Sequence, residues 1–148
     1  MAGTEDMQAQ LNYELAIYRE QIAMIKRETE RISLTTIDLT NALKTVESMG
    51  KDEILIPIGG GALARGTVTD TKVLVPIGAE YMKEMEREEA VLELRRRIDA
   101  TKKAVEKLNE EFNKIARKLQ EVAAQLQTVQ AQSRLSQRVE GNIRDDYI

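Results

Sequence analysis

The chain has 148 residues, neither cysteine nor histidine, and a formal net charge of −3 from 22 Lys+Arg against 25 Asp+Glu. Those counts exclude disulfides and thiolate metal sites, remove the commonest general base and metal ligand, and give no electrostatic case for general nucleic-acid binding. Aromatic residues make up 3% and charged residues 32%, a balance suited to long helices with charged surfaces rather than to a compact core built on large rings.

The first predicted element is a helix over residues 4–49. Thr4 is a hydroxyl cap, and Glu5 and Asp6 follow it beside the positive end of the helix dipole. From Leu11 the apolar positions step by four and three through Leu15, Tyr18, Ile22, Ile25, Thr29, Ile32, Thr36, Leu39, Leu43 and Val46. That rhythm persists for about five heptads, which is the signature of a coiled coil. Gly50 is the expected stop, with Asp38, Thr40 and Asn41 loosening the last turns. Such an arm would be about 60–70 Å long.

Residues 51–80, Lys51 to Glu80, break the helical pattern. The stretch is β-branched and uses one phrase twice, Ile54-Leu55-Ile56-Pro57-Ile58-Gly59 and Val73-Leu74-Val75-Pro76-Ile77-Gly78. Alternation sets Ile54, Ile56 and Ile58 against Leu55 and Pro57, and Val73, Val75 and Ile77 against Leu74 and Pro76. Two hairpins are expected, Ile54–Ile58 with Leu63–Val68 and Val73–Ile77 with Ala79–Lys83. Gly59-Gly60-Gly61 and Thr69-Asp70-Thr71 are the expected turns, and both prolines mark strand ends or edges. With both helices committed to each other, no helix is spare to cover these small sheets. They are therefore expected to complete a sheet or barrel with other subunits.

A second helix is expected over 81–132. Tyr81, Met85 and Leu92 start one stripe; Val91, Leu94, Ile98, Thr101, Val105, Leu108, Phe112, Ile115, Leu119, Val122, Leu126 and Val129 follow another. The change of stripe near Glu88 implies a stutter. Past Val129 the inward positions become Ser133 and Ser136, Gly141 ends any helix, and residues 133–148 are expected to fray. The two arms pair when the second runs antiparallel to the first. Pairing residue numbers that add to 130 sets Leu11 against Leu119 and Tyr18 against Phe112; a one-heptad slip, to 137, is also acceptable and sets Thr36 against Thr101. The expected fold class is α+β and predominantly helical: a long antiparallel two-helix coiled coil with two β-hairpins between the helices, one domain across 1–148.

No catalytic or cofactor site emerges. Gly59-Gly60-Gly61 lacks the following helix and the Lys with Ser or Thr that a phosphate loop needs. Arg95-Arg96-Arg97 with Lys102 and Lys103 is interleaved with Glu86, Glu88, Glu89, Glu93 and Asp99, a solvated helix surface. No apolar run spans a bilayer and the first ten residues are acidic and polar, unlike a signal peptide, so a soluble, cytoplasmic protein without membrane contact is expected. Met7, Leu11, Leu15, Val122, Leu126 and Val129, near the arm tips, fit either an ordinary seam or a partly covered adhesive patch.

The strand phrases ILIPIGGGALARGTVTD and TKVLVPIGAEY, with heptad arms on either side, resemble the α-type subunits of prefoldin over Met7 to about Gln132. The resemblance implies a non-enzymatic, cofactor-free co-chaperone subunit in a hexamer of two α and four β subunits. It also implies that Ile54, Ile56, Ile58, Leu63, Val68, Val73, Val75 and Ile77 build the assembly platform. The six tip residues would then hold non-native polypeptides without ATP and pass them to a group II chaperonin. A filament-forming prefoldin relative or a coiled-coil tether is the alternative.

Overall fold

The computed structural model describes residues 2–50 and 52–145; Lys51, the first residue of the expected platform, and residues 146–148, the end of the expected frayed tail, lie outside the described residues along with Met1. Two long helices, α1 (Ala2–Ser48) and α2 (Arg87–Asp145), flank four strands: β1 (Glu53–Gly59), β2 (Ala62–Thr67), β3 (Lys72–Gly78) and β4 (Tyr81–Glu86). The strands form two separate antiparallel hairpins, β1–β2 and β3–β4. Packing divides the chain into two compact units, Met1–Glu30 with Glu106–Ile148, and Arg31–Val105. The first is wholly helical among its described residues; the second carries both hairpins.

Every seam position from Leu11 to Val46 and from Val91 to Val129 is buried or half-buried, as the three–four rhythm requires. Within the hairpin unit the register is fixed by Thr36, whose Oγ1 lies 2.8 Å from Thr101 Oγ1. The Thr101 hydroxyl donates to Ile98 O at 2.7 Å, which leaves its oxygen free to accept from Thr36. In the helical unit, Lys26 Nζ sits 5.8 Å from the centroid of the Phe112 ring, a cation–π contact in the same register. Both contacts select the slipped pairing; the first pairing considered, which put Leu11 against Leu119 and Tyr18 against Phe112, is corrected.

The cause is visible at the start of α2. Tyr81 and Met85 are in β4, not in a helix, so the apparent stutter near Glu88 is a strand-to-helix junction. Six residues expected as helix are spent on a strand, which moves the pairing by about a heptad. The C-terminus of α1 is also closed differently from expectation. Gly50 does not take a left-handed conformation; instead Arg87 donates from Nη1 to Met49 O at 2.8 Å and from Nη2 to Glu47 O. A guanidinium there satisfies terminal carbonyls and complements the negative end of the dipole. Thr4 lies inside α1 rather than capping it. Thr40 does not loosen its end: its hydroxyl donates to Thr36 O at 2.7 Å, and Thr45 and Ser48 likewise donate one turn back. Gly141 does not end α2, which continues to Asp145; one glycine costs only about 1 kcal/mol in a helix, and no proline follows it.

The hairpins repeat one turn design on different sequences. Gly59, Gly60 and Gly61 have φ of 107°, 58° and 80°, and Gly78, Ala79 and Glu80 have 113°, 47° and 66°. Both pairs of central residues therefore take the left-handed values of a type I′ turn, with Ile58 and Ile77 at the irregularity before it. A side chain in that region costs about 1–2 kcal/mol per residue. Replacing Ala79 by Asn and Glu80 by Gly is accordingly expected to raise the unfolding free energy by about 1–2 kcal/mol in urea titrations. An unchanged midpoint would mean that the turn carries no strain.

Candidate functional site

The two hairpins occupy equivalent positions in the repeat and different environments. In β3–β4, Val75 is 3% exposed and Met85 6%, and they pack with Val46, Ala90 and Leu94; Val73, Leu39, Leu43 and Val91 line the same cluster. The expectation that no helix covers the sheets is therefore corrected for one face of this hairpin. Val73 and Val75, expected on the assembly surface, serve the chain's own core, because the last turns of α1 and the first turns of α2 close over them.

In β1–β2 no residue is buried. Ile54 and Ile56, the counterparts of Val73 and Val75, are respectively half-buried and 42% exposed, and Gly66 stands where the second hairpin has Met85. A Cβ at Gly66 would lie 2.8 Å from Ile56 Cδ1, so the absent side chain lets Ile56 lie across the neighbouring strand. The opposite faces of both hairpins are apolar and open. Leu55 is 61% exposed, Leu63 55% and Leu74 62%, with Ile58, Ile77 and Met82 also exposed. Val68 follows β2 and borders a cleft of about 170 Å³ with Met49 and Arg87. Alternation as first read had not placed Leu55, Leu74 and Met82 among assembly residues. Their signal was present: both faces of each strand phrase are apolar, which one-sided burial does not require.

Charge around the start of α2 is internally neutralised. Glu93 accepts from Arg96 and from Arg97, at 2.8 Å and 2.9 Å for the closest contacts, and Arg95 pairs with Glu47 at 2.8 Å. The hydrogen bonds from Arg96 and then Arg97 hold the Glu93 carboxyl below the usual carboxylate range. The arginine run is thus spoken for by carboxylates.

The candidate client-binding residues sort into two groups. Leu11, Leu15 and Val122 are buried against one another, with Leu126 and Val129 half-buried beside them. Met7 is 52% exposed. A groove of about 530 Å³ runs along this end of the helical unit, with Met7, Leu11 and Val129 as its larger apolar lining and Gln10, Glu14 and Thr128 at its polar margin. The buried trio holds the helices together, Leu126 and Val129 lie half-buried beside it, and Met7 is the exposed member of the six. No helix among the described residues is long and apolar enough to cross a membrane.

This architecture has known counterparts. The prefoldin subunit family model matches residues 18–132. Prefoldin subunit alpha of Methanococcus aeolicus is 31% identical over 102 residues, covering 68% of this chain and 70% of its own. Prefoldin subunit alpha 1 of Methanocaldococcus jannaschii is 30% identical over 91 residues, covering 61% and 64%. Among solved structures, the cryo-EM structure of filamentous PFD from Methanocaldococcus jannaschii superposes with a TM-score of 0.65 at 24% identity, over 77% of this chain and 98% of that one. The crystal structure of the prefoldin beta subunit from Thermococcus strain KS-1 gives 0.59 at 20% identity, over 86% and 92%. Two helices, two intervening hairpins and a family match across most of the length lead to one conclusion: the chain belongs to the prefoldin family and is of its α type.

Proposed function

We propose that this chaperone subunit is an ATP-independent holdase that grips unfolded polypeptides at the open end of its helical unit and passes them to a group II chaperonin. The observation that carries this reading is the groove formed by Met7 and Val129 over the buried Leu11. Its apolar lining is open and margined by Gln10, Thr128 and the one charged side chain Glu14, which suits a weak and unselective grip on exposed apolar segments. Several such grips on one chain multiply through effective concentration, so each can remain weak. The open faces of the hairpins supply the assembly that brings several copies together, in a hexamer of two α and four β-type subunits working in the cytoplasm without a cofactor.

Replacing Met7, Leu126 and Val129 together by serine is expected to raise by about tenfold the amount of complex needed to suppress aggregation of a denatured enzyme. Assembly mass should be unchanged, and adding ATP should alter neither protein. Undiminished suppression by the triple variant would remove the groove from the mechanism.

A second reading, a structural filament, is favoured by one observation, the likeness to the filamentous assembly from Methanocaldococcus jannaschii. Native mass spectrometry separates the two. An open-ended mass ladder of this chain alone indicates a filament, and a closed hexamer formed only with a β-type subunit indicates the chaperone.

A further inference from the structure

The two hairpins keep the same apolar residues and turn design but exchange their charges. Directly opposite residues of an antiparallel pair share a face, so Glu53, Leu55, Leu63 and Arg65 lie together on one face of β1–β2. Their counterparts Lys72, Leu74, Met82 and Glu84 lie together on β3–β4, on the face turned away from Val75 and Met85. At both places in the repeat where each hairpin has a charge, the sign is reversed. Glu53 corresponds to Lys72, and Arg65 corresponds to Glu84. A further charge, Glu86, corresponds to the uncharged Thr67 and repeats nothing.

The reversal has a geometric consequence. Arg65 stands directly across from Leu55, and Glu84 directly across from Leu74. Laid face to face with Leu55 on Leu74 and β2 over β4, the two surfaces bring the guanidinium onto the carboxylate. Like faces laid the same way set Arg65 on Arg65, or Glu84 on Glu84. Within its own chain Arg65 is engaged only loosely: it lies 3.8 Å from Glu53, and 79% of its side chain is exposed. An exposed pair at that distance contributes little, so the guanidinium is available to a partner. Glu84 is exposed as well.

We infer that Arg65 and Glu84 decide which hairpin meets which between two copies of this chain, the first hairpin of one copy taking the second hairpin of the other. The apolar residues are common to both hairpins and cannot tell one from the other. Opposite charges at equivalent positions can, because they attract unlike faces and set like charges together when like faces meet. Each copy carries one face of each kind, so copies join as a closed pair or as an open run. The inference rests on the reading that the open hairpin faces are assembly surfaces, and it adds the pairing rule.

The test mixes full-length variants with a β-type subunit and counts the copies of this chain in each complex by native mass spectrometry across a concentration series. Arg65→Glu alone, or Glu84→Arg alone, is expected to weaken complexes holding two copies by about tenfold or more. An equimolar mixture of the two variants should restore them to within about threefold of the unaltered chain, since each then offers the charge that the other's altered face needs. Heavy-isotope labelling of one variant marks the mixed pairs. Both side chains are exposed, so urea unfolding of each variant alone should match that of the unaltered chain. Undiminished two-copy complexes in both single variants would show that these charges do not meet. Failure of the mixture to recover would give the faces to the β-type subunit. Recovery of Arg65→Glu by the unaltered chain rather than by Glu84→Arg would mean that like faces meet. Each of these results overturns the inference. A variant carrying both Leu55→Asp and Leu74→Asp tests the underlying reading separately. If it also assembles unhindered, the open faces are not assembly surfaces; if it fails while the charge variants assemble, only the pairing rule falls.

Discussion

Replacing Leu94 by alanine is expected to lower the unfolding free energy by about 2–5 kcal/mol, the range for deleting a buried leucine from a core that cannot fully collapse. Leu94 is 6% exposed and packs in the cluster of Val46, Val75, Met85 and Ala90, which draws on α1, β3, β4 and α2 at once. Ala90 beside it is fully buried. The control is Leu92→Ala two residues earlier. Leu92 is 67% exposed, and its loss should stay within about 0.5 kcal/mol. Urea unfolding followed by far-UV circular dichroism measures both. Hydrogen exchange adds a readout specific to the cluster, since amides of β3 and β4 should lose protection in the Leu94 variant while those of β1 and β2 change little. If the two variants unfold alike, the second hairpin is not anchored through this cluster.

That cluster also shows what was legible in the sequence and what was not. Heptad spacing located both helices and the seam from Leu11 to Val46 and from Val91 to Val129, because burial against one partner repeats with the helix itself; it also set Leu92, which is 67% exposed, on a stripe and passed over the fully buried Ala90. The strand phrases located both hairpins, because Gly59 to Gly61 and the two prolines punctuate β-branched runs in a way no helix tolerates. Register was not legible, since Leu, Ile and Val satisfy a heptad slip equally well, and Thr101 finds a threonine in either alignment. What decides between them is where α2 begins, and Tyr81-Met82-Lys83-Glu84-Met85-Glu86 is nearly as acceptable in a helix as in a strand. Its strand state comes from pairing with Lys72–Gly78, a tertiary effect that local propensity does not carry. Arg87 was hidden for a similar reason. Among Glu86, Glu88 and Glu89 it reads as an ordinary surface charge, and its partners are carbonyls at the end of α1 and just past it, 40 and 38 residues earlier.

The candidate sites divided along the same line. The resemblance implied an assembly role for Val73 and Val75, and alternation could not correct it, because sequence shows which residues share a face but not what lies over it. The structure separates the hairpins: one face of the second is closed by the chain's own helices, and the first has no buried residue on either face. The tip residues divided likewise, Leu11, Leu15 and Val122 into the helical core and Met7 to the surface.

Substituting aspartate for both Leu55 and Leu74 is expected to abolish co-assembly with a β-type subunit while leaving this chain folded. The two residues are counterparts in the repeat and are 61% and 62% exposed, so the isolated chain should lose no more than about 1 kcal/mol. In an assembled platform they would be among the residues that leave water. Burying a leucine contributes about 1.5–3 kcal/mol, so losing two weakens each joint by about a hundredfold to ten-thousandfold, before the cost of burying a carboxylate is added. A contrasting variant, Val75→Ala, should destabilise the chain itself, through a cavity in its core, and affect assembly only in proportion to that loss. Native mass spectrometry of each variant mixed with a β-type subunit, alongside unfolding of each variant alone, gives the two quantities needed. A hexamer formed at undiminished concentration by the double aspartate variant would mean that partners join through strand edges, leaving these faces in water. In that case Val75→Ala and the aspartate pair would differ only in the stability of the isolated chain.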